Sequence, residues 1–239
     1  MSEPERPEPT LRHVNVAHER QDVHATRQAR PGLFRFRVAG DLLPRAPEAG
    51  APAAGIGGGM GEFADAMAAR GYAVTLVDLS ESNIAAARAR GHAAERADLN
   101  EPLPFPDGAF AAVALLEVIE HVVNAELLLA EAVRVLRPGG FLVLSTPNAA
   151  WFRERWRSVR GLPPSEEGYH YRFFTVASLR ALFRRVPAEI VEERYRAPAF
   201  GVNLVRRLSE RRKRVHVLMP RAAAPWLAQT SFVLARKRA

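Results

Sequence analysis

Residues 55–63 read GIGGGMGEF, a glycine cluster between an alanine-rich stretch and an apolar helical pattern. Backbone this bare can approach a ligand closely and can adopt left-handed conformations that a side chain would penalise. Working outward, the chain alternates strand and helix patterns. AVTLVD (73–78) is an apolar strand run, and SESNIAAARARG (80–91) follows as a helix with Ser80 as N-cap and Gly91 as its stop. HAAERAD (92–98) is a weaker strand candidate, LPFPDG (103–108) has turn chemistry, and FAAVALLE (110–117) is a second apolar strand. NAELLLAEAVRVL (124–136) puts Leu128, Ala132, Val135 and Leu136 on one helical stripe. Pro138, Gly139 and Gly140 stop it, and FLVLST (141–146) is the next strand. This βαβα rhythm predicts an α/β fold with a mainly parallel, doubly wound sheet. In such a sheet the first glycine-rich turn marks the ligand crevice.

Composition narrows the class. The apolar share of 48% over 239 residues is enough for a sizeable core, and the absence of cysteine excludes disulfides, thiolate metal sites and cysteine nucleophiles. No apolar run approaches the roughly 18 residues that read as a membrane-spanning helix, and MSEPERPEPT lacks the basic-then-apolar pattern of a signal peptide. The expectation is a soluble cytoplasmic protein. Residues 153–239 hold 20 of the 34 basic side chains and only 7 of the 26 acidic ones, yet only Lys213 and Lys237 are lysines. A solvated basic surface is the plainer reading of that skew, with nucleic acid, an anionic membrane or a phosphorylated substrate as the alternatives. Residues 1–30, with Pro4, Pro7 and Pro9, read as a flexible lead-in, and 31–239 as one domain. GLFRFRVAGDLL (32–43) fits a short helix before Pro44.

The glycine spacing discriminates between ligands. The dinucleotide pattern of glycines at i, i+2 and i+5 fails, meeting Met60 from Gly55 and Glu62 from Gly57, which disfavours a nicotinamide-dependent oxidoreductase. Gly57-x-Gly59-x-Gly61 after a strand, with Asp78 ending the next strand, resembles class I S-adenosylmethionine-dependent methyltransferases. ADLNEPLPFPDGAFAAVALLEVIEHV (97–122), RVLRPGGFLVLSTPN (134–148) and HYRFFTVASLRALF (170–183) lie in that family's order. The resemblance runs from about residue 55 to 184. It implies a seven-stranded sheet whose last strand, TSFVLARK (230–237), is antiparallel, with AEIVEERY (188–195) before it.

The resemblance also implies roles. Gly57, Gly59 and Gly61 let the backbone approach the methionine end of the cofactor. Asp78 accepts from the two ribose hydroxyls, Asp98 bonds the adenine amine, and Leu79 and Leu99 flank the ring. For Asp78 the plainer alternative is a cap on the following helix. One position departs from the pattern: the acid usual two residues before the first motif glycine, which helps hold the cofactor's ammonium group, is Gly55 here. GAPAAGI, the strand before it, is also poor in β-branched residues.

EVIEH places Glu117, Glu120 and His121 at i, i+3 and i+4, which is one face if the chain turns helical after the strand. Two carboxylates and an imidazole suit a divalent cation, Mg²⁺ or Mn²⁺ rather than Zn²⁺. The same E-x-x-E-H pattern occurs in ubiquinone-pathway O-methyltransferases and in small-RNA 2′-O-methyltransferases. In the RNA enzymes a later histidine completes the site, and His170 in GYHYRFFT occupies that place. The implied chemistry is activation of an acceptor hydroxyl toward the sulfonium methyl. Without a metal, Glu117, His121 or His170 serves as hydrogen-bonding group or general base. A degenerate, non-catalytic member is the third reading, favoured by Gly55 and the basic tail. His13, His18, His24, His92 and His216 belong to no such constellation and read as surface or packing residues.

Residues 149–172, AAWFRERWRSVRGLPPSEEGYHYR, break the strand–helix rhythm and read as a lid over the acceptor. They interleave Trp151, Phe152, Trp156, Tyr169 and Tyr171 with Arg153, Arg155, Arg157 and Arg160. Such a mixture stacks an aromatic ring or base and pairs with a carboxylate or phosphate. The alternative is an amphipathic helix packing its aromatics onto the domain. The expected acceptor is an anionic or aromatic small molecule, with RNA as the alternative. Thr175 caps the next helix, and VRRLSERRKRV (205–215) is the densest basic run.

Overall fold

The computed structural model describes residues 34–164, 170–198 and 216–239. The N-terminal lead-in, His13, His18, His24, Tyr169 and the basic run at 205–215 lie outside them. One sheet organises the rest. Its strands are β1 (Ala51–Ile56), β2 (Tyr72–Asp78), β3 (Ala93–Arg96), β4 (Phe110–Leu116), β5 (Leu136–Pro147), β6 (Ala188–Pro198), β7 (His216–Leu218) and β8 (Thr230–Lys237). They lie in the order β3-β2-β1-β4-β5-β8-β6-β7. The first five are mutually parallel, and β8 runs antiparallel to both β5 and β6.

The sheet therefore has eight strands where seven are expected. The extra one is β7, a three-residue edge strand paired antiparallel to β6 through Arg196–Pro198. A strand so short carries no periodic signal. It also covers part of the edge that β6 would otherwise expose.

Helices cover both faces. Helices α1 (Phe34–Leu42), α2 (Glu62–Ala68) and α3 (Glu81–Ala89) pack on one side, contributing Leu42, Phe63, Met67 and Ile84 to its core. Helices α4 (Ala125–Arg134) and α6 (Val176–Phe183) pack on the other, with Leu128, Leu129, Leu179 and Phe183. Strand β4 shows the two-sided burial: Val113 and Leu115 enter one layer, Ala112 and Ala114 the other. The β-branched-poor β1 is nevertheless central, because Ala53 and Ala54 are fully buried and small enough to let helices close on both faces. Its Pro52 lies before the Ala53–Gly55 stretch that β4 pairs, so no bond to β4 is lost.

The expected caps form. Ser80 Oγ accepts from the Asn83 N–H, and Thr175 makes a reciprocal capping box with Ser178. Helix α4 ends at Arg134, and Leu136, read as helical in the sequence, instead opens β5. Pairing with Phe110 of β4 draws Leu136 into the sheet, and the close approach of the Arg137 and Ala111 carbonyls, 2.9 and 3.0 Å from where a β-carbon would sit, requires glycine at 140. Between β5 and α6 lies α5 (Phe152–Val159), and α7 (Ala224–Leu227) precedes β8. Among the described residues, no helix is long and apolar enough to cross a membrane.

Candidate active site

A cavity of about 930 Å³ opens along the C-terminal ends of the parallel strands, where a doubly wound sheet places its ligand. At one end lies the glycine turn. Gly57 and Gly59 have φ of 62° and 54°, and a β-carbon on Gly57 would fall 2.6 Å from Val118. Gly58, absent from the expected set, is as constrained, since its β-carbon would meet Leu76 at 1.9 Å. Gly61 does not line the cavity; it is the N-cap of α2, at φ 88°. It turns the chain into the helix.

Asp78 sits at the tip of β2 and ties this turn together. Its Oδ2 accepts from the Gly59 N–H, and its Oδ1 accepts from Ser80 N and Asn83 Nδ2. Asp78 organises the start of α3, as the capping reading expects, and it also lines the cavity. Burial is the main influence on its carboxyl and raises its pKa above the ordinary value, against these hydrogen bonds. With two donors on Oδ1 and one on Oδ2, it is Oδ2 that keeps lone-pair capacity for a further donor. Leu79, Asp98 and Leu99 also line the cavity, and Asp98 Oδ1 accepts from the Asn100 N–H and side-chain amide.

Gly55 has a structural explanation. A β-carbon on it would lie 2.8 Å from Leu76 Cδ2, the atom that also crowds Gly58. Leu76 therefore fills the space beside Gly55, and the glycine and this leucine are complementary.

The EVIEH segment departs from its expected shape. Glu117 takes a left-handed φ of 56°, and only Ile119–His121 coil, as a 3₁₀ turn. The single helical face for Glu117, Glu120 and His121 does not form. Glu117 instead has its Oε1 hydrogen-bonded by Ser145 Oγ at 2.8 Å. Glu120, His121 and His170 do converge, each offering a ligand atom within 4.8 Å of the others. His170 arrives through the main chain: the Glu120 carbonyl accepts from the N–H groups of Tyr171 and Arg172. The two imidazoles meet edge to face, centroids 4.7 Å apart.

Burial dominates their electrostatics, with Arg35 the positive neighbour that partly offsets it at Glu120. Glu120 is fully buried; burial, then the nearby Glu117 charge, drives its pKa well up. One oxygen accepts from Thr146 Oγ1, and Oε1 has no partner among the described residues. Burial, and then His121, lowers the His170 pKa to about 4, so at neutral pH its ring is uncharged and keeps a lone pair. A carboxylate with an unpaired oxygen beside a neutral imidazole fits a divalent cation. With Glu117 outside the trio, the donors are one carboxylate and two imidazoles rather than the oxygen-rich set expected.

The aromatic and basic side chains of residues 151–157 divide by environment. Trp151 is buried, but Phe152 and Trp156 are 39% and 62% exposed, so they do not pack onto the sheet. Arg153 and Arg157 of the same helix line the cavity. Arg155 stacks on Trp226 at 3.8 Å. Of the remaining histidines, His92 bonds Asp65 and His216 packs near Phe34. The cavity wall also includes Arg35, Arg196 and Gln229, which the sequence pattern did not single out.

A parallel sheet with an antiparallel β8, a glycine turn held by an acid at the tip of β2, and a cavity between them define a Rossmann-like nucleotide-type binding fold. The sequence model for a methyltransferase domain matches residues 33–193, and the chain belongs to this family of S-adenosylmethionine-dependent methyltransferases. It is 38% identical over 139 residues to a ubiquinone biosynthesis O-methyltransferase of Caulobacter vibrioides, covering 55% of this chain and 51% of that protein. It is 36% identical over 124 residues to a ubiquinone/menaquinone biosynthesis C-methyltransferase of Rubrivivax gelatinosus, covering 51% and 49%. The chain thus spans about half the length of these curated relatives. In structure it is similar to a Thermotoga maritima S-adenosylmethionine-dependent methyltransferase described as a possible histamine N-methyltransferase. The TM-score is 0.66 at 22% identity, over 95% of this chain and 100% of that one. At that identity the likeness concerns the fold.

Proposed function

We propose that the chain transfers the methyl group of S-adenosylmethionine to a hydroxyl of a small-molecule acceptor, with a divalent cation held by Glu120, His121 and His170. The observation that carries this reading is the convergence of His170 on Glu120 and His121 within 4.8 Å, since nothing local in sequence requires it.

Gly57, Gly58 and Gly59 admit the methionine portion of the cofactor, and Asp78 receives the ribose hydroxyls as acceptor. Leu79, Asp98 and Leu99 form the adenine end. The cation, when bound, lowers the pKa of the acceptor hydroxyl and fixes its position. Glu117, beside the trio and braced by Ser145, takes the hydroxyl proton. His170, with a pKa of about 4, is poorly matched to act as a base at neutral pH, which leaves His121 as the base in the metal-independent alternative. The donor set of two imidazoles and one carboxylate favours Mn²⁺ over Mg²⁺. Trp151, Arg153, Arg157 and Pro164, which line the cavity, would border the acceptor.

The test is transfer from radiolabelled S-adenosylmethionine into a metabolite extract, followed by identification of the labelled product. Labelling should vanish with EDTA, return with Mn²⁺, and fall on an oxygen. Turnover that survives EDTA overturns the metal role; label on carbon or nitrogen overturns the O-methyl reading.

A further inference from the structure

The far end of the cavity, away from the glycine turn, is built from residues with no assigned role. Arg196 of β6 pairs in register with Thr230 of β8, which pairs with Pro147 of β5. These three form one row across the C-terminal edge of the sheet. Three strand spacings, roughly 14 Å, separate β6 from β4 and Glu117, so the row continues the wall from the Glu117 end of the cavity.

Arg196 is held but not satisfied. Its Nη2 donates to Thr230 Oγ1 at 2.9 Å, while its Nε is buried with no acceptor among the described residues. Among the described residues no carboxylate bonds to it, and Glu117 acts on it only through space. A partly buried guanidinium with a buried, unbonded Nε and no hydrogen-bonded carboxylate is stabilised by an anion that meets it. Two further buried polar atoms of the same wall are also unpartnered: Trp151 Nε1 and Gln229 Oε1. The three residues are linked through the main chain, because Gln229 N donates to the Arg196 carbonyl and Asn148 N donates to that of Gln229. Trp151 N in turn donates to the Asn148 carbonyl. Of the three groups, arginine and indole can only donate, and an amide flip makes Gln229 a donor as well. Arg35 and Arg153 line the same cavity and add positive charge.

The geometry points to an anion subsite: the methyl acceptor carries a carboxylate or phosphate that docks on Arg196, with Trp151 and Gln229 as further donors, while its hydroxyl reaches toward Glu117 and the Glu120 trio. This rests on the reading of the cavity as the methyl-acceptor site. It narrows the acceptor class to anionic hydroxy compounds, and it requires an upstream reaction that supplies a hydroxylated acid or phosphate.

Binding of simple probes tests this without turnover or metal. Benzoate, phenyl phosphate and benzyl alcohol are titrated calorimetrically into the protein saturated with S-adenosylhomocysteine. An anion should bind at least about ten-fold more tightly than the neutral alcohol, the step one charge-assisted bond supplies. Arg196→Met should remove that preference, leaving benzyl alcohol within about two-fold and S-adenosylhomocysteine within about two-fold. Preference for benzoate assigns a carboxylate; preference for phenyl phosphate assigns a phosphate. Equal binding of charged and neutral probes, or an anion preference that survives in Arg196→Met, overturns the subsite. If Arg196→Met does not fold, Arg196→Lys must keep a weakened preference, and the wild-type comparison stands alone. Failure of S-adenosylhomocysteine to bind would count against the cofactor reading, and the probes would then be compared without it.

Discussion

The Glu120 carbonyl accepts hydrogen bonds from the N–H groups of both Tyr171 and Arg172, at 2.9 and 3.1 Å. This main-chain clasp, with the Arg172 side chain bonding the Val123 carbonyl and Glu126, delivers His170 to a carboxylate far away in sequence. It also means that His170 can be removed without dismantling its support. His170→Ala should therefore fold normally yet weaken Mn²⁺ binding by more than the about 10–100-fold seen when an outer partner of a ligand is lost. Calorimetric titration of Mn²⁺ beside a thermal melt separates the two effects; unchanged affinity removes His170 from the site.

Asp78 links the glycine turn to the start of α3 through Gly59, Ser80 and Asn83. Asp78→Ala should weaken S-adenosylhomocysteine binding by about 1–3 kcal/mol, the cost of unpaired polar groups, and should also lower the melting temperature. Cofactor affinity should fall with pH through the carboxyl's raised pKa, because protonation takes up acceptor capacity that the ribose hydroxyls need. A calorimetric pH series that stays flat down to the ordinary value of 3.8 would contradict this.

An acid at position 55, which the family resemblance implies is usual there, is expected from sequence to tighten cofactor binding. The structure adds a condition. Because the new β-carbon would sit 2.8 Å from Leu76 Cδ2, Gly55→Asp alone should destabilise the protein by about 1–3 kcal/mol, as overpacking does. Adding Leu76→Ala should relieve the clash and then reveal tighter S-adenosylhomocysteine binding. A folded double variant with unchanged affinity means the ammonium group is held elsewhere.

Glu131 offers a pH test away from the site. The Arg134 guanidinium beside it, helped by the Leu103 N–H, holds its carboxyl below the usual range. A depressed carboxylate stabilises the fold above its unfolded pKa, near 4.5, and that contribution is lost as pH falls through the folded value. Glu131→Gln should cost about 1–3 kcal/mol at pH 7. The gap to wild type should close below pH 4.5 in denaturant titrations; a gap independent of pH would assign the loss to packing.

The alternation of apolar runs and capped helices was enough to read the doubly wound sheet, since β2, β4 and α4 bury the stripes their sequences display. The glycine turn and Asp78 were legible for the same reason: backbone freedom and a strand-end acid are local signals. What escaped was non-local. The β7 edge strand is set by pairing with β6, and the left-handed Glu117 is set by the crossing from β4 over Ser145. Arg196 and Gln229 look like ordinary polar residues of an outer strand and its approach. Only the register of β5, β8 and β6 shows that they face the cavity.

The cation reading is tested most directly by anomalous diffraction from crystals grown with S-adenosylhomocysteine and soaked in Mn²⁺. One strong anomalous peak is expected, bonded to a Glu120 carboxylate oxygen and to ring nitrogens of His121 and His170 at about 2.0–2.3 Å. It should be absent from His170→Ala crystals. No peak at the trio in crystals that bind S-adenosylhomocysteine, or a peak held without His170, would contradict it.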